Sequence, residues 1–155
     1  MSRFMTAEWA DDCAAVINSW PPPSVKESKL QDFWDWIDMV RPAVTGRLIL
    51  AVRDMPPDAG ADGNAMVLDL EQGSVVSASI ADRAEVEETA TYLLAGSYRD
   101  WIDMLEGYDV GKTIMYRRFL LEKGETLKFF TPAFYWTDLL TAIQTVPFND
   151  NLQPA

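Results

Sequence analysis

Residues 90–124 read ATYLLAGSYRDWIDMLEGYDVGKTIMYRRFLLEKG, and this stretch decides the fold. An aliphatic strand leads to Ser97, whose hydroxyl can cap a short helix that Gly107 ends. Asp109 can cap a second short helix. The segment RFLLEKG after that helix predicts another strand, which ends at Gly124. The order in this segment is therefore strand, helix, helix, strand.

Upstream of this segment, the spacing of apolar residues is first helical and then alternating. Apolar residues at intervals of three and four predict one amphipathic helix over 6–20 and a second over 24–41. A β-branched and aliphatic run predicts a strand over 47–53. The alternation over 66–80 predicts a hairpin that turns at Gln72 and Gly73. Helices over 1–43 thus precede the sheet.

Downstream, Thr131 and Pro132 mark the start of a C-terminal helix. Apolar side chains form a single stripe along this helix. The tail over 147–155 is predicted to be frayed. The chain has 155 residues, a size that fits one domain with a sizeable core. The sequence therefore predicts a single α+β domain over 1–155.

The residue types that most enzymes and metal sites use are scarce. The sequence contains no histidine, which is the commonest general base and metal ligand, and its one cysteine, Cys13, lies on an apolar helical stripe. Disulfide, zinc and histidine-based catalysis are therefore excluded. We expect no catalytic residue, no metal and no cofactor.

The formal net charge of -11 opposes the phosphates of nucleic acids and anionic lipid surfaces, so we expect no nucleic-acid partner. No apolar run approaches the roughly 20 residues that span a bilayer, and the N-terminus does not read as a signal peptide. We expect a cytoplasmic protein without stable membrane insertion. The charge is uneven, with 5 basic and 4 acidic residues from Lys112 onward, so an anionic ligand should prefer the C-terminal third.

Residues 128–136, KFFTPAFYW, place five aromatic side chains beside a lysine. One helix cannot bury all five on a single stripe. Either some of them line a cavity or touch a membrane surface, or they are ordinary core residues. The sequence leaves both interpretations open.

The stretch from about Gly46 to Val146 resembles the sterol carrier protein type-2 family, most clearly in the segment 90–124. The residues that carry the resemblance are Ala95, Gly96, Trp101, Met104, Leu105, Gly107, Ile114, Met115, Phe119, Leu121 and Gly124. The resemblance implies a single five-stranded mixed or antiparallel sheet, covered on one face by about five helices. It also implies an apolar tunnel between the sheet and the helices that holds sterols, fatty acids or acyl-CoA esters.

On this basis we expect a non-catalytic carrier for a bulky apolar ligand. The residues predicted to line the tunnel are Trp34, Ile37, Trp101, Leu105, Ile114, Met115, Phe119, Phe130, Phe134 and Leu139. The candidates for contact with an anionic head group are Lys112, Arg117 and Arg118, because basic side chains pair well with carboxylates and phosphates.

Two other functions stay open. The first is a histidine-free enzyme on a steroid-like substrate, in which Asp103, Tyr98 or Tyr116 supplies the acid or base. The second is an accessory subunit that presents an acidic docking surface to an enzyme. A dry interior without a cavity would favour this second function. A homodimer is a further possibility.

Overall fold

The computed structural model describes residues 2–149, and over this range the predicted succession of helices and strands is present. The strands are β1 Ser2–Arg3, β2 Gly46–Val52, β3 Ala65–Glu71, β4 Ser74–Ala81, β5 Tyr92–Gly96, β6 Phe119–Lys123 and β7 Phe148–Asn149. The helices are α1 Ala7–Asn18, α2 Pro23–Glu27, α3 Gln31–Val40, α4 Arg83–Val86, α5 Tyr98–Leu105, α6 Val110–Met115, α7 Thr126–Phe130 and α8 Ala133–Gln144. Short 3₁₀ turns lie at Arg41–Ala43 and Glu87–Thr89.

The main sheet has five strands in the order β4-β3-β2-β5-β6. Strands β2 and β5 run parallel, and the other neighbours are antiparallel, so the sheet is mixed. Gln72 and Gly73 have positive φ and form the predicted hairpin turn between β3 and β4. The predicted α+β fold with a five-stranded sheet is confirmed.

The two faces of the sheet are covered unequally. Leu48, Leu50 and their neighbours on one face pack under most of the helices, whereas Ile49 and Ala51 on the other face belong to a small separate cluster. The alternation follows from the two-residue repeat of a strand. Helix α4 lies beside the smaller cluster, which Val86 helps to cover. The main core therefore lies between the sheet and the helical layer.

The caps predicted in residues 90–124 are present. The Ser97 hydroxyl accepts a hydrogen bond from the Asp100 N–H at 3.1 Å, and the Asp109 carboxylate accepts one from the Lys112 N–H at 2.8 Å. Gly107 ends α5 with φ +119°, a conformation that favours glycine. These local signals determine where α5 and α6 begin and where α5 ends.

The region predicted as one helix over 24–41 consists of two helices. The Ser28 hydroxyl donates to the Val25 carbonyl at 2.6 Å and ends α2, and Leu30 then adopts an extended conformation before α3 begins. Ser24 and Glu27 have the spacing of a capping box, but the start of α2 has no side-chain cap, so the box is not formed. The indole N–H of Trp34 instead bonds the Lys26 carbonyl at 2.9 Å and ties α3 to α2.

A short second sheet joins the two ends of the described range. In the tail predicted to be frayed, Phe148 and Asn149 pair in parallel with Ser2 and Arg3. Residues 150–155 of that tail lie outside the described residues. The ends of the described range therefore lie side by side.

Candidate functional site

A cavity of about 630 Å³ lies at the end of the sheet where β2 and β5 begin. Its walls come from the end of α3, the 3₁₀ turn after it, the first residues of β2 and β5, and the α7–α8 segment. The lining residues are Met39, Val40, Ala43, Val44, Thr45, Gly46, Leu48, Leu70, Thr91, Tyr92, Lys128, Thr131, Pro132 and Trp136. Most of them are apolar, as in small-molecule sites generally.

The floor of the cavity depends on a glycine. Gly46 pairs with Leu70 across β2 and β3 and has φ +136°. A Cβ at Gly46 would lie 2.6 Å from the Thr91 hydroxyl oxygen, closer than van der Waals contact allows. Glycine therefore lets the β2 backbone approach β5 at this point.

An aromatic group forms one wall. The rings of Trp136 and Phe129 stack in parallel with centroids 5.0 Å apart, and Tyr92 meets both rings edge-on. The Trp136 indole N–H donates to the Phe129 carbonyl at 2.7 Å. Because this bond attaches the indole to the α7 backbone, the wall is held in place where it borders the cavity.

The cavity is open to solvent along the exposed part of its lining. The exposed lining residues are Met39, Ala43, Thr45, Thr91, Lys128 and Thr131. The opening thus combines apolar side chains with an ammonium group and hydroxyls. A ligand can reach the apolar interior past these side chains.

A second, much smaller cavity of about 20 Å³ is bordered by Arg41, Tyr135 and Asp138. The Tyr135 hydroxyl donates to the Gly73 carbonyl at 2.6 Å, and burial raises the pKa of Tyr135 to about 12. Burial also raises the pKa of Asp138, while the positive charges of Lys29 and Arg41 lower it. This cavity has room for about one water molecule, so it is too small for a ligand. The bond between Tyr135 and Gly73 connects α8 to the hairpin beside it.

None of the ten residues predicted to line a tunnel borders the larger cavity within residues 2–149. Trp34, Ile37, Trp101, Leu105, Phe119 and Leu139 are buried in the core, Ile114 is half-buried, and Met115, Phe130 and Phe134 are exposed. The cavity that the structure shows lies at one end of the sheet. A tunnel lined by these ten residues stays a prediction.

The three head-group candidates lie on or after α6, away from the cavity. Arg118 bonds the carboxylates of Asp100 and Asp103 at 2.6 Å each, and these bonds raise the pKa of the guanidinium. Its charge is therefore already balanced. Lys112 and Arg117 are exposed, and their contact with a head group stays a prediction.

The residues considered for an enzyme also lie outside the cavity. Asp103 pairs with Arg118 and, at 3.2 Å, with Arg99. Tyr116 is exposed and Tyr98 is half-buried. None of the three candidate acids or bases lines the cavity within the described range, so no acid or base from this set faces an enclosed substrate.

The aromatic run over 128–136 is the sequence signal that does lead to the cavity. It supplies Lys128, Thr131, Pro132 and Trp136 to the lining. Phe129 and Tyr135 are buried in the core. Of the aromatic side chains in the run, Trp136 therefore borders the cavity, whereas Phe129 and Tyr135 are core residues.

The other lining residues were missed. Thr45, Gly46, Leu70 and Thr91 come from separate strand ends that only the sheet brings together. The available signal was the short connection between Pro42 and Gly46, which obliges the chain to turn sharply from α3 into the sheet.

Within residues 2–149, no helix combines the length and apolar character needed to cross a membrane. The same residues contain no group of three or more cysteine or acidic side chains that could bind a metal ion.

Comparison with known proteins gives a likeness in structure. No protein-family model and no curated protein matches the sequence. A crystal structure of sterol carrier protein 2 superposes with a TM-score of 0.70 at 23% identity, covering 94% of this chain and 100% of that one. A solution structure from Thermus thermophilus, of a conserved hypothetical protein considered a candidate sterol carrier protein, gives a TM-score of 0.64 at 21% identity, covering 96% and 93%. This chain therefore has the sterol carrier protein 2 fold, as the resemblance in its sequence implied.

Proposed function

We propose that the chain is a non-catalytic binding protein that carries a bulky apolar small molecule in the cavity beside Trp136. One observation carries this proposal: a cavity of about 630 Å³, lined mostly by apolar side chains, lies at the end of the sheet beside the helical layer. That volume lies within the roughly 300–1,000 Å³ typical of small-molecule sites. The fold likeness to a sterol carrier protein supports the same function.

The ligand class that fits is a sterol, a fatty acid or an acyl-CoA ester. Burial of its apolar surface against Leu48, Leu70 and Trp136 would supply about 25 cal/mol per Å² before the entropic costs of binding. The net charge of -11 disfavours lasting contact with anionic membranes. We therefore propose a carrier without stable membrane insertion, and we expect it in the cytoplasm.

The alternatives gain no support from the site. A dry interior would have favoured an accessory subunit, and the cavity argues against that interpretation. A steroid-transforming enzyme needs an acid or base facing its substrate. Asp103, the candidate carboxylate, instead pairs with two arginines.

The first test is native mass spectrometry of the protein purified from its source, followed by lipid extraction and binding titrations with palmitate and cholesterol. Val40→Trp places an indole in the cavity from the last residue of α3. We expect this substitution to weaken binding by about tenfold or more, because the ligand loses buried surface.

Val16→Trp is the matched control, since Val16 is a half-buried helical residue that does not border the cavity. This variant should bind as the wild type does. A wild-type protein that retains no lipid and takes up neither compound would overturn the proposed function. If the Val40→Trp and wild-type proteins have equal affinity, the ligand binds at a site other than this cavity.

A further inference from the structure

The polar side chains of the cavity are one ammonium group and several hydroxyls. Within the described part of the chain, Lys128 is the only lining residue with a formal charge, and the lining residues that carry a hydroxyl are Thr45, Thr91, Tyr92 and Thr131. No carboxylate lines the cavity in that range, although the sequence has 24 acidic residues. The cavity is therefore rich in hydrogen-bond donors in a protein that is otherwise acidic.

Two of these hydroxyls are set up as donors. The Thr45 oxygen accepts a hydrogen bond from the Gln72 N–H at 3.0 Å, and the Thr91 oxygen accepts one from the Arg47 N–H at 3.1 Å. A hydroxyl has one proton to donate in addition to its acceptor lone pairs. Each of these threonines can therefore still donate its proton to an oxygen atom in the cavity.

The Lys128 ammonium is free to change partners. It pairs with Glu125 at 3.4 Å, but the two side chains are 74% and 65% exposed. Exposed ion pairs of this kind contribute little to stability. Lys128 therefore differs from Arg118, which has short bonds to two carboxylates.

We propose that the cavity selects an amphiphile with an anionic carboxylate head, the class of long-chain fatty acids, and that Lys128 at the opening binds this head. This inference rests on the proposed function and makes it more specific. The acyl chain lies against Leu48, Leu70 and Trp136, and the threonine hydroxyls donate to oxygen atoms near the head. Lys128 is then the residue that determines specificity for acids over neutral lipids.

The experiment compares palmitate with methyl palmitate, which has the same chain but no charge, in titrations at pH 8 and low salt. Lys128→Gln should weaken palmitate binding by about 3- to 10-fold, because a charge-assisted bond is lost, and should leave the ester unchanged. Lys128→Arg should restore palmitate binding. High salt should reduce the difference in palmitate affinity between the wild type and Lys128→Gln, because it screens the Lys128 charge.

The matched control is Lys26→Gln, which removes an exposed lysine from α2, outside the cavity lining. Palmitate should bind to this variant as it does to the wild type. The assignment is overturned if Lys26→Gln weakens palmitate binding as much as Lys128→Gln does. It is also overturned if Lys128→Gln affects acid and ester equally. Failure of the wild type to bind either compound would instead overturn the proposed function.

Discussion

The two ends of the helical layer use aromatic residues to opposite effect. At the first, which we call the filled end, Trp101 is fully buried against Phe4, Trp9 and Phe119. The Trp101 indole N–H donates to the Ala51 carbonyl at 2.9 Å. Rings at varied angles interlock here, so the space above the end of β2 is occupied.

At the opposite end of β2, which we call the open end, Tyr92, Phe129 and Trp136 border the cavity or support its wall. Here the bond between the Trp136 indole and the Phe129 carbonyl holds the rings to their own segment. The space above the sheet remains free. The comparison indicates that the filled end supplies stability and that the open end supplies binding.

The largest expected effect comes from truncating one tryptophan at each end. Trp101→Ala should lower the free energy of unfolding by about 4–5 kcal/mol, because a fully enclosed indole leaves a cavity behind. Trp136→Ala should lower it by about 3 kcal/mol, since part of this ring already borders free space. Urea denaturation measures both values.

Ligand binding should reverse this ranking. Trp136→Ala removes cavity wall and should weaken palmitate binding, whereas Trp101→Ala, studied where it is still folded, should bind as the wild type does. Equal stability losses together with equal affinities would remove the distinction between the ends.

The backbone at the open end gives the next effect. Gly46→Ala places a methyl group against the Thr91 hydroxyl at a residue with φ +136°. Strain and overpacking together should lower the free energy of unfolding by about 2–4 kcal/mol. Palmitate affinity should also fall, since Gly46 and Thr91 both line the cavity.

Gly107→Ala is the control for the backbone strain alone. Gly107 also has positive φ, +119°, but nothing lies within 4 Å of an added Cβ. This variant should lose about 1–2 kcal/mol and keep its affinity for palmitate. If the two alanine variants behave alike, the close approach of β2 to β5 is not what shapes the floor.

The contrast between the ends also explains how far the sequence could be interpreted. Ser97, Asp109 and Gly73 act on backbone groups within a few residues, so the caps and the hairpin turn were predictable from local sequence. Trp101 and Trp136 are both buried and look alike in any apolar pattern. Only the packing of distant segments decides which of them borders free space.

The same limit applies along β4. A strict two-residue alternation would place Val76 on the same face as Ala78 and Ile80, but a bulge between Asp69 and Leu70 shifts the register, so Val75 pairs with Leu70 and is buried. Val76 is exposed. A register shift depends on both strands of a pair, so the sequence of one strand does not determine it.

The smallest effect concerns Tyr135, which connects α8 to the hairpin beside the open end. Tyr135→Phe removes the bond to the Gly73 carbonyl and should lower the free energy of unfolding by about 1 kcal/mol at pH 8. The folded-state pKa of Tyr135 is about 12, above the ordinary value of 10.0. Its stabilising contribution is therefore complete below pH 10 and is lost as the pH rises toward 12.

The wild type should consequently lose its advantage over Tyr135→Phe in alkaline solution. The raised pKa corresponds to about 2–3 kcal/mol between the two protonation states, so the two unfolding free energies should meet near pH 11. Tyr116→Phe, which alters an exposed tyrosine, should differ from the wild type by the same small amount at every pH. A difference between wild type and Tyr135→Phe that stays constant from pH 8 to 11 would show that the Tyr135 hydroxyl is not enclosed at the α8–hairpin junction.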